Sequence, residues 1–534
     1  MALQYSSPLY FIVFLGAVFV LYTVFPKKLK WLVLLLSSYI FYWINSGALA
    51  FFLLATTAVI YFAGVFLGRI QRGWDVARKS IPKEAKDEKK KLKAIIGWQK
   101  KAVVSVSLTV VFGLLVFLKY YGFLSGNANS LLSLLHIEAQ LPELKLVLPL
   151  GISYYTLQAA SYVIDVYRGK YPPTENFFKI ALFLSFFSQI VEGPIGRYDL
   201  LGEQLYEGHK ISYTDTTQGL QLIAWGLMKK MVIADRINIL VANVFKDWES
   251  YGGGVILFAG LMYTVQIYAE FSGCMDIVTG SSQMFGVRLS ENFSRPFFSK
   301  SVSEFWRRWH ITLGAWLRDY IFYTVSLSKP FARLSKWAKE HLNEFFGALV
   351  PSAAALFCVW VMNGVWHGSG WKYLCYGMYY YVIMMISALF EPLFVKFFEK
   401  THIRREKGPF AVFRILRTCF LVVIGMTLFR ASGVGEFFSM MGKVFTSFGA
   451  ADIGSGALME LGLDGADYII IAVCTALVFI VSVLQEKGHM IRSELGQKNI
   501  VLRWTVYLAL VMLIVICGAY GTGYDQVDFI YGQF

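Results

Sequence analysis

The chain has 534 residues, of which 56% are hydrophobic and only 16% charged, and its mean hydropathy is +0.53. An average globular domain is about 45–50% apolar and about 25% charged, so this composition excludes a water-soluble globular protein and indicates an integral membrane protein. The formal net charge of +15 could suggest nucleic acid binding. However, the basic residues are concentrated between the apolar stretches, which is typical of membrane proteins with positive cytoplasmic loops. No nucleic acid partner is expected.

Apolar stretches of ~20 residues, the length that a ~30 Å hydrocarbon layer requires, begin near the N-terminus. We predict membrane helices near 8–26, 31–46, 48–68 and 102–124. The first lacks both a preceding positive charge and a small-residue cleavage site, so we expect a retained helix rather than a signal peptide. The segment 69–101 contains twelve Lys or Arg against four Asp or Glu. This bias predicts a cytoplasmic basic loop at 69–101 and an N-terminus outside.

The middle of the chain, 146–396, does not divide into simple spans. Its apolar segments carry polar residues, among them Gln158 and Glu192, and a Gly193-Pro194 dipeptide interrupts one of them. Polar groups at membrane depth are costly, and broken helices persist there only where protein or water surrounds them. We therefore expect short, tilted or re-entrant helices around an internal cavity.

The C-terminal part returns to regular spans, predicted near 412–430, 466–484 and 504–522, with the C-terminus outside. Six cysteines without CxxC spacing, and remaining histidines without ligand spacing, give no reason to expect a metal site. The sequence thus predicts an all-α polytopic protein folded as a single membrane domain over 1–534. Its parts are N-terminal helices at 1–124, a core at 146–396 and C-terminal helices at 410–522.

The segment 303–320, SEFWRRWHITLGAWLRDY, has the periodicity of one amphipathic helix. Charged side chains, including Glu304 and Arg308, can pair along one face. The apolar positions at helical spacing are Phe305, Trp309, Leu313, Trp316 and Leu317. Taken alone, the segment is typical of an interfacial helix whose Arg307 and Arg308 contact lipid headgroups.

The stretch 361–371, VMNGVWHGSGW, places His367 in a run without Asp, Glu, Lys or Arg. A lone interior histidine is often satisfied by a backbone carbonyl, so packing alone could account for it. Two features favour a function instead. Asn363 lies one helical turn before His367, and nearby glycines such as Gly364 allow close approach of a backbone or a ligand. An imidazole with a pKa near 6.5 is well suited to take a proton from a hydroxyl.

Together, FWRRWH at 305–310 and GVWHG at 364–368 resemble the membrane-bound O-acyltransferase (MBOAT) family, and within it the bacterial AlgI-like branch of polysaccharide O-acetylation. Further segments are similar to that branch in the same order: 148–155, 161–168, 188–197, 268–276, 291–296 and 428–431. The resemblance covers about residues 5–520. Departures at Ser188, Glu270 and Cys274 do not affect the histidines, but they weaken any transfer of the substrate identity.

The resemblance implies a helical fold with about 9–12 membrane helices plus re-entrant or interfacial helices around a central funnel. It implies that His367 is the catalytic base and that His310 is an orienting or oxyanion-side partner, although a pair of histidines sharing one proton is an open alternative. Asn occupies the position of His310 in distant members. The residues expected to support the site or line the funnel are Asn363, Trp366, Trp306, Arg307, Trp309, Gln158, Glu192 and Asp276.

The resemblance also implies the reaction: an acyl group, most plausibly acetyl, passes from a cytoplasmic thioester such as acetyl-CoA to an extracellular or cell-wall polysaccharide. No bound cofactor is expected. The expected partners are the bilayer of the bacterial cytoplasmic membrane, the polysaccharide acceptor and an extracytoplasmic acetyltransferase of the SGNH-hydrolase-like type. Alternatives are D-alanyl transfer to teichoic acid from a carrier-protein thioester, a polysaccharide transporter or flippase, whose inverted repeats are not evident, and a structural scaffold.

Overall fold

A computed structural model describes residues 3–520 except 83, 403–404, 450–453 and 455. The described chain is helical, and the only pairing of extended backbone within it is an isolated bridge between Phe293 and Trp309. The helices of the first part are α1 (Gly16–Val24), α2 (Lys30–Ser46), α3 (Ala50–Ser80), α4 (Lys86–Leu134), α5 (Ile152–Arg168), α6 (Phe177–Ser185), α7 (Tyr198–Glu207) and α8 (Tyr213–Leu227). A π-helical turn, Leu9–Leu15, precedes α1, and another, Met228–Ala234, follows α8.

The second part contains longer helices joined by short irregular segments. Its helices are α9 (Asp235–Lys246), α10 (Gly253–Met284), α11 (Val302–Arg308), α12 (Ile311–Leu317), α13 (Tyr323–Ser326), α14 (Lys329–His341), α15 (Glu344–His367), α16 (Trp371–Thr401), α17 (Gly408–Arg430), α18 (Val434–Thr446), α19 (Gly465–Glu486), α20 (Ile491–Gly496) and α21 (Ile500–Cys517). A π-helical turn, Arg318–Phe322, connects α12 to α13.

Eight segments of the described chain are long and apolar enough to cross a membrane, which confirms a polytopic all-α protein. One of them, Lys27–Ser80, contains α2, a break at Gly47 and α3. A shorter apolar stretch, Leu9–Val24, precedes it. The predicted total of 9–12 crossings around a funnel stays a prediction, and the predicted C-terminus lies outside the described residues.

The basic segment 69–101 is mostly helix and not an irregular connection, whereas its predicted cytoplasmic location stays a prediction. Helix α3 continues to Ser80 and α4 already begins at Lys86. Lysine and arginine have high helix propensity, and the charges suit the helix dipoles, with Arg78 and Lys79 in the last turn of α3 and acidic residues in the first turn of α4. With 49 residues, α4 is about 73 Å long at 1.5 Å per residue, much longer than a hydrocarbon layer.

By their internal contacts, the residues form two compact units: Met1–Gly219 with Ser281–Ser290, and Leu220–Gly280 with Glu291–Phe534. In the first unit, α5 is buried along nearly its whole length. The predicted break at Gly193-Pro194 is confirmed, because α6 ends at Ser185 and the chain there is irregular. A Cβ on Gly193 would lie 2.3 Å from the Cα of Gln189, so this turn accepts only glycine. The prediction that 1–534 folds as a single domain stays a prediction.

Candidate active site

Helix α15, which ends at His367, packs against α16 with direct backbone contact. A Cβ on Gly364 would lie 2.5 Å from the carbonyl oxygen of Tyr373, and one on Gly377 would lie 2.3 Å from the carbonyl oxygen of Trp360. Real Cβ atoms do not approach a carbonyl so closely, so both positions require glycine. The close backbone approach predicted at Gly364 is confirmed, and it fixes the end of α15 that carries His367.

The imidazole of His367 is buried in an aromatic cage. Its ring centroid lies 5.0 Å from that of Trp366, 5.4 Å from Phe429 and 5.7 Å from Tyr376, all in edge-to-face geometry. The residue is only 2% exposed. It is also the last residue of α15, where the carbonyl ends of the helix dipoles favour positive charge. A ring that takes up a proton during a reaction is therefore stabilised at this position.

The segment 303–320 is not the single amphipathic helix that its periodicity predicted. Helix α11 ends at Arg308, and His310 has a left-handed backbone, φ 47°, before α12 begins. The reason is a tertiary contact. Ser294 N–H donates to the carbonyl oxygen of Arg308 at 2.9 Å, and Ile311 N–H donates to the carbonyl oxygen of Asn292 at 3.0 Å. These hydrogen bonds replace those of a continuous helix.

The broken segment is built into the protein rather than lying on its surface. The five apolar positions predicted to share one face are all buried, between 1% and 4% exposed: Phe305, Trp309, Leu313, Trp316 and Leu317. His310 itself is 2% exposed. Gly, Asn, Asp and His are enriched in the left-handed region, so the backbone here favours a small set of side chains at position 310.

Asn292, which the sequence analysis did not single out, fixes the imidazole of His310. Its Oδ1 accepts hydrogen bonds from Thr312 N–H at 3.1 Å and from the Thr312 hydroxyl at 2.8 Å, and it lies 3.2 Å from His310 Nδ1. Since Oδ1 is an acceptor in the first two bonds, His310 Nδ1 must be the donor in the third. The neutral ring therefore keeps its lone pair on Nε2, which makes Nε2 a hydrogen-bond acceptor.

Burial lowers the pKa of His310 to about 3, so the ring is neutral at physiological pH. In the unfolded chain the same group takes up a proton near pH 6.5. Stability is therefore lost as the pH falls below about 6.5, because only the unfolded state binds this proton. Between about pH 7.5 and pH 5, the His310 contribution should destabilise the folded state by about 2 kcal/mol.

His310→Asn should remove that part of the acid sensitivity. Denaturation midpoints of the detergent-solubilised protein, measured at both pH values, test the expectation. His136→Asn is a matched control, since His136 is exposed and also has a positive φ of 54°. If His310→Asn loses as much stability on acidification as the wild type, then His310 is not buried in neutral form.

Trp366 contacts both imidazoles. Its ring centroid lies 5.4 Å from that of His310 and 5.0 Å from that of His367. Phe271 packs on His310 from another helix, with 4.9 Å between ring centroids. The structure thus brings both histidines and Trp366 into one buried aromatic cluster, and the catalytic roles of the two histidines stay predictions.

A cavity of about 540 Å³ adjoins this cluster. His310 lines this cavity, together with four of the residues expected to support the site: Trp306, Arg307, Trp309 and Asn363. Trp366 and His367 do not line it. Trp306 Nε1 and Asn363 Oδ1 are buried and have no hydrogen-bond partner within the described part of the chain. One donor and one acceptor are thus available to a molecule in an otherwise largely apolar cavity.

The two arginines of α11 have different environments. Arg308 pairs with Glu304 at 2.8 Å and with Glu486 at 3.0 Å. Arg307 is exposed and lines the cavity. Arg307 is therefore the better placed of the two to attract an anionic molecule.

Asp276, whose side chain is 24% exposed, pairs with a buried lysine and does not line the cavity. Its carboxylate lies 2.6 Å from Lys229 Nζ, and the neighbouring Lys230 pairs with Asp235 at 2.7 Å and with Glu270 at 3.2 Å. Burial opposes the charge of Lys230, yet the two carboxylates raise its pKa above the ordinary lysine value. Sequence reasoning missed both lysines, although adjacent lysines within an apolar run were a visible signal.

Gln158 and Glu192 lie in the first unit, whereas the histidine cluster lies in the second. Both are buried, at 2% and 1% exposure. A Cβ on Gly196 would lie 3.2 Å from Gln158 Nε2 and 3.0 Å from Gln189 Oε1. Gln158 therefore packs against the irregular turn that follows α6.

Comparison with known proteins agrees with the motifs. The sequence pattern of MBOAT, the membrane-bound O-acyltransferase family, matches residues 173–429, which include both histidines and the cavity. The chain is 30% identical over 446 residues to the probable alginate O-acetylase AlgI of Pseudomonas syringae pv. tomato, covering 83% of this chain and 75% of that protein. The chain belongs to the membrane-bound O-acyltransferase family.

Other MBOAT relatives differ in their named acceptors. The peptidoglycan O-acetyltransferase of Helicobacter pylori is 29% identical over 310 residues, 53% of this chain and 55% of that protein. The teichoic acid D-alanyltransferase of Bacillus subtilis is 29% identical over 261 residues, 48% of this chain and 63% of that protein. The resemblance stated from the motifs is confirmed: this MBOAT chain is a multi-pass membrane O-acyltransferase.

Proposed function

We propose that this enzyme moves an acetyl group from a cytoplasmic thioester, acetyl-CoA, across the bacterial cytoplasmic membrane for O-acetylation of an extracellular or cell-wall polysaccharide. The observation that carries the proposal is the buried cluster of His310, Trp366 and His367 beside an apolar cavity with one free donor and one free acceptor. The names of the alginate and peptidoglycan relatives support acetyl as the acyl group.

The cavity suits the arm of a thioester donor. The pantetheine arm of coenzyme A is a narrow chain with two amides, each carrying one N–H and one carbonyl. Asn363 Oδ1 can accept from an amide N–H, and Trp306 Nε1 can donate to an amide carbonyl, so both groups would gain the partner that they lack. The exposed Arg307 provides positive charge for the phosphates of the donor.

In the proposed reaction, His367 takes the proton of the acceptor hydroxyl, and the alkoxide oxygen attacks the thioester carbonyl. The C–S bond then breaks, and the thiolate leaves and recovers the proton from the imidazolium, so the products are an ester and a free thiol. His310 orients the acceptor, because its Nε2 lone pair can accept a hydrogen bond from a second hydroxyl of the sugar, next to the reacting one, while Nδ1 is held by Asn292. This geometry favours the orienting role of His310 over an oxyanion-side role.

Two further parts of the proposal concern the membrane. The N- and C-termini are outside, so that the basic ends of the helices face the cytoplasm. An extracytoplasmic partner of the SGNH-hydrolase-like type completes transfer to the sugar. The relatives named as D-alanyltransferases support a second candidate, D-alanyl transfer to teichoic acid from a carrier-protein thioester.

The identity of the donor decides between the two candidates. Full-length protein in nanodiscs, with its extracytoplasmic partner added, is given acetyl-CoA or a D-alanyl carrier-protein thioester, with a soluble polysaccharide or a short alcohol as acceptor, and the free thiol is measured. We expect thiol release from acetyl-CoA that depends on the acceptor. Turnover of the carrier-protein thioester alone would replace the acetyl proposal with D-alanyl transfer, and turnover of neither donor would contradict both.

Asn292 acts on the reaction through His310, so it is a positioning residue. Asn292→Leu removes the shared acceptor, leaves Thr312 N–H and His310 Nδ1–H without it, and should lower the rate of acyl transfer about tenfold or more. Asn292→Asp keeps an acceptor oxygen and should retain most of the activity. Because a carboxylate beside His310 favours a protonated ring, this variant should also shift the pH dependence of the rate. Equal losses in both variants, with unchanged pH profiles, would indicate a purely structural role.

A further inference from the structure

A second cavity, of about 610 Å³, lies between the C-terminal half of α16 and the N-terminal half of α17, and is called the α16–α17 groove here. Six of its thirteen lining residues are phenylalanines: Phe390, Phe394, Phe397, Phe398, Phe410 and Phe413. Both helices are long and apolar enough to cross a membrane. Phe394, Phe397 and Phe413 are 47–56% exposed. In a membrane these exposed rings would contact lipid molecules. Its walls suit a hydrocarbon chain.

The same groove has a cationic end next to the link between the two helices. Arg405 binds both carboxylate oxygens of Glu391, at 2.5 and 2.8 Å. Arg414 pairs with Glu406 at 2.5 Å, and Lys300 pairs with the same carboxylate at 3.1 Å. Those three cations are therefore neutralised in part by two carboxylates.

Arg417, the fourth cation at this end, lines the groove and has a different environment. Its Nη2 donates to the carbonyl oxygen of Lys300 at 3.1 Å. Within the residues that the structure describes, no carboxylate lies within ion-pair distance of it. The groove thus combines a phenylalanine-rich channel with a guanidinium that still lacks a counter-anion.

We propose that the α16–α17 groove binds an anionic phospholipid, with one acyl chain along the phenylalanines and the phosphate at Arg417. A guanidinium donates two parallel hydrogen bonds to phosphate oxygens. A free phosphate or a nucleotide would satisfy Arg417 but leave the aromatic walls without a ligand. A zwitterionic lipid would not balance the excess of positive charge among Lys300, Arg405, Arg414 and Arg417. This site is separate from the histidine cluster and does not depend on the proposed reaction.

Lipid retention by the full-length protein tests the proposal. Protein exchanged into equimolar phosphatidylglycerol and phosphatidylcholine is extracted in neutral detergent, and bound lipid is counted by native mass spectrometry. The wild type should retain one phosphatidylglycerol in preference to phosphatidylcholine. Arg417→Gln should lower that retention about tenfold, the effect of losing a charge-assisted contact. Arg333→Gln is the matched control, because Arg333 is exposed on α14 and does not line the groove.

A second variant covers the case in which Arg417→Gln does not fold. Ser387 is an exposed lining residue, and Ser387→Trp should fill the groove and reduce retention of both lipids. Retention of phosphatidylglycerol at the wild-type level by the folded variants would overturn the proposal, as would equal retention of the two lipids by the wild type. Displacement of the lipid by millimolar inorganic phosphate or coenzyme A would assign Arg417 to a free phosphate ligand instead.

Discussion

Replacing His367 with alanine should lower the rate of acyl transfer at least 100-fold while leaving the fold intact. General base catalysis typically contributes 10²–10⁴-fold, and the buried ring at the end of α15 is the side chain to which the proposed mechanism assigns that role. Alanine is the best helix former, so the substitution does not disturb the backbone. The rate of thiol release, measured with equal amounts of folded protein in nanodiscs, checks this expectation.

Two further variants separate the proton transfer from packing. His367→Gln fills much of the same space and can hydrogen-bond, but it cannot act as a base near neutral pH, so it should be as inactive as the alanine variant. His136→Asn removes an exposed histidine at a left-handed position that asparagine tolerates, and its rate of thiol release should equal that of the wild type. An alanine variant at position 367 with nearly wild-type activity would show that His367 has only a packing role.

Gly364→Ala should cost both stability and activity. The added methyl group would lie 2.5 Å from the carbonyl oxygen of Tyr373 and 3.1 Å from the Cα of Leu374, so α15 and α16 would have to separate. Overpacking of this kind typically costs about 1–3 kcal/mol. His367 lies one helical turn further on, and a displacement of ~1 Å in an active site can lower a rate about 100-fold. Denaturation midpoints and rates of thiol release measure the two effects.

Gly113→Ala is the matched control for that variant. Gly113 also lies inside a long helix, α4, but a Cβ there would meet nothing within 4 Å, so alanine should be neutral or slightly stabilising. Because the contact of Gly364 is with backbone atoms, truncating Tyr373 should not rescue Gly364→Ala. Wild-type stability and activity in Gly364→Ala would mean that the two helices are not in direct backbone contact.

The membrane helices could be predicted from the sequence because their signal is local. The spans predicted near 31–46 and 412–430 correspond to α2 and α17, since ~20 apolar residues can satisfy their backbone only as a helix in lipid. The segment 69–101 shows the limit of that signal. The many charged residues indicated that this segment lies outside the hydrocarbon layer. They could not indicate whether its backbone is helical or irregular.

The break at His310 could not be predicted from the periodicity of 303–320. It is produced by hydrogen bonds with residues 292 and 294, which are remote in sequence, and local apolar periodicity carries no information about them. The same holds for Lys229 and Lys230. Two adjacent lysines in an apolar run are visible in the sequence, but their partners on α10 are known only from the fold.

For the site itself, the motifs identified the two histidines, and the fold added their relation to each other. Trp366 contacts both rings, which the adjacency of Trp366 and His367 alone did not indicate. The roles of base and orienting residue stay predictions. The side on which His310 carries its proton follows from Asn292, which lies in the family-like segment 291–296 but was not singled out there as a site residue.

The left-handed backbone at His310 affects how this position should be mutated. Alanine scanning assumes that alanine changes only the side chain, but at φ 47° alanine also lacks the preference for the left-handed region that makes Asn, Asp and His several-fold enriched there. Glutamine, the usual substitute for a neutral histidine, has the same drawback. Asparagine tolerates this conformation, so it is the informative probe here. The tolerance of position 310 to substitution is thus limited by backbone geometry before any question of chemistry arises, and a mutational library should be designed accordingly.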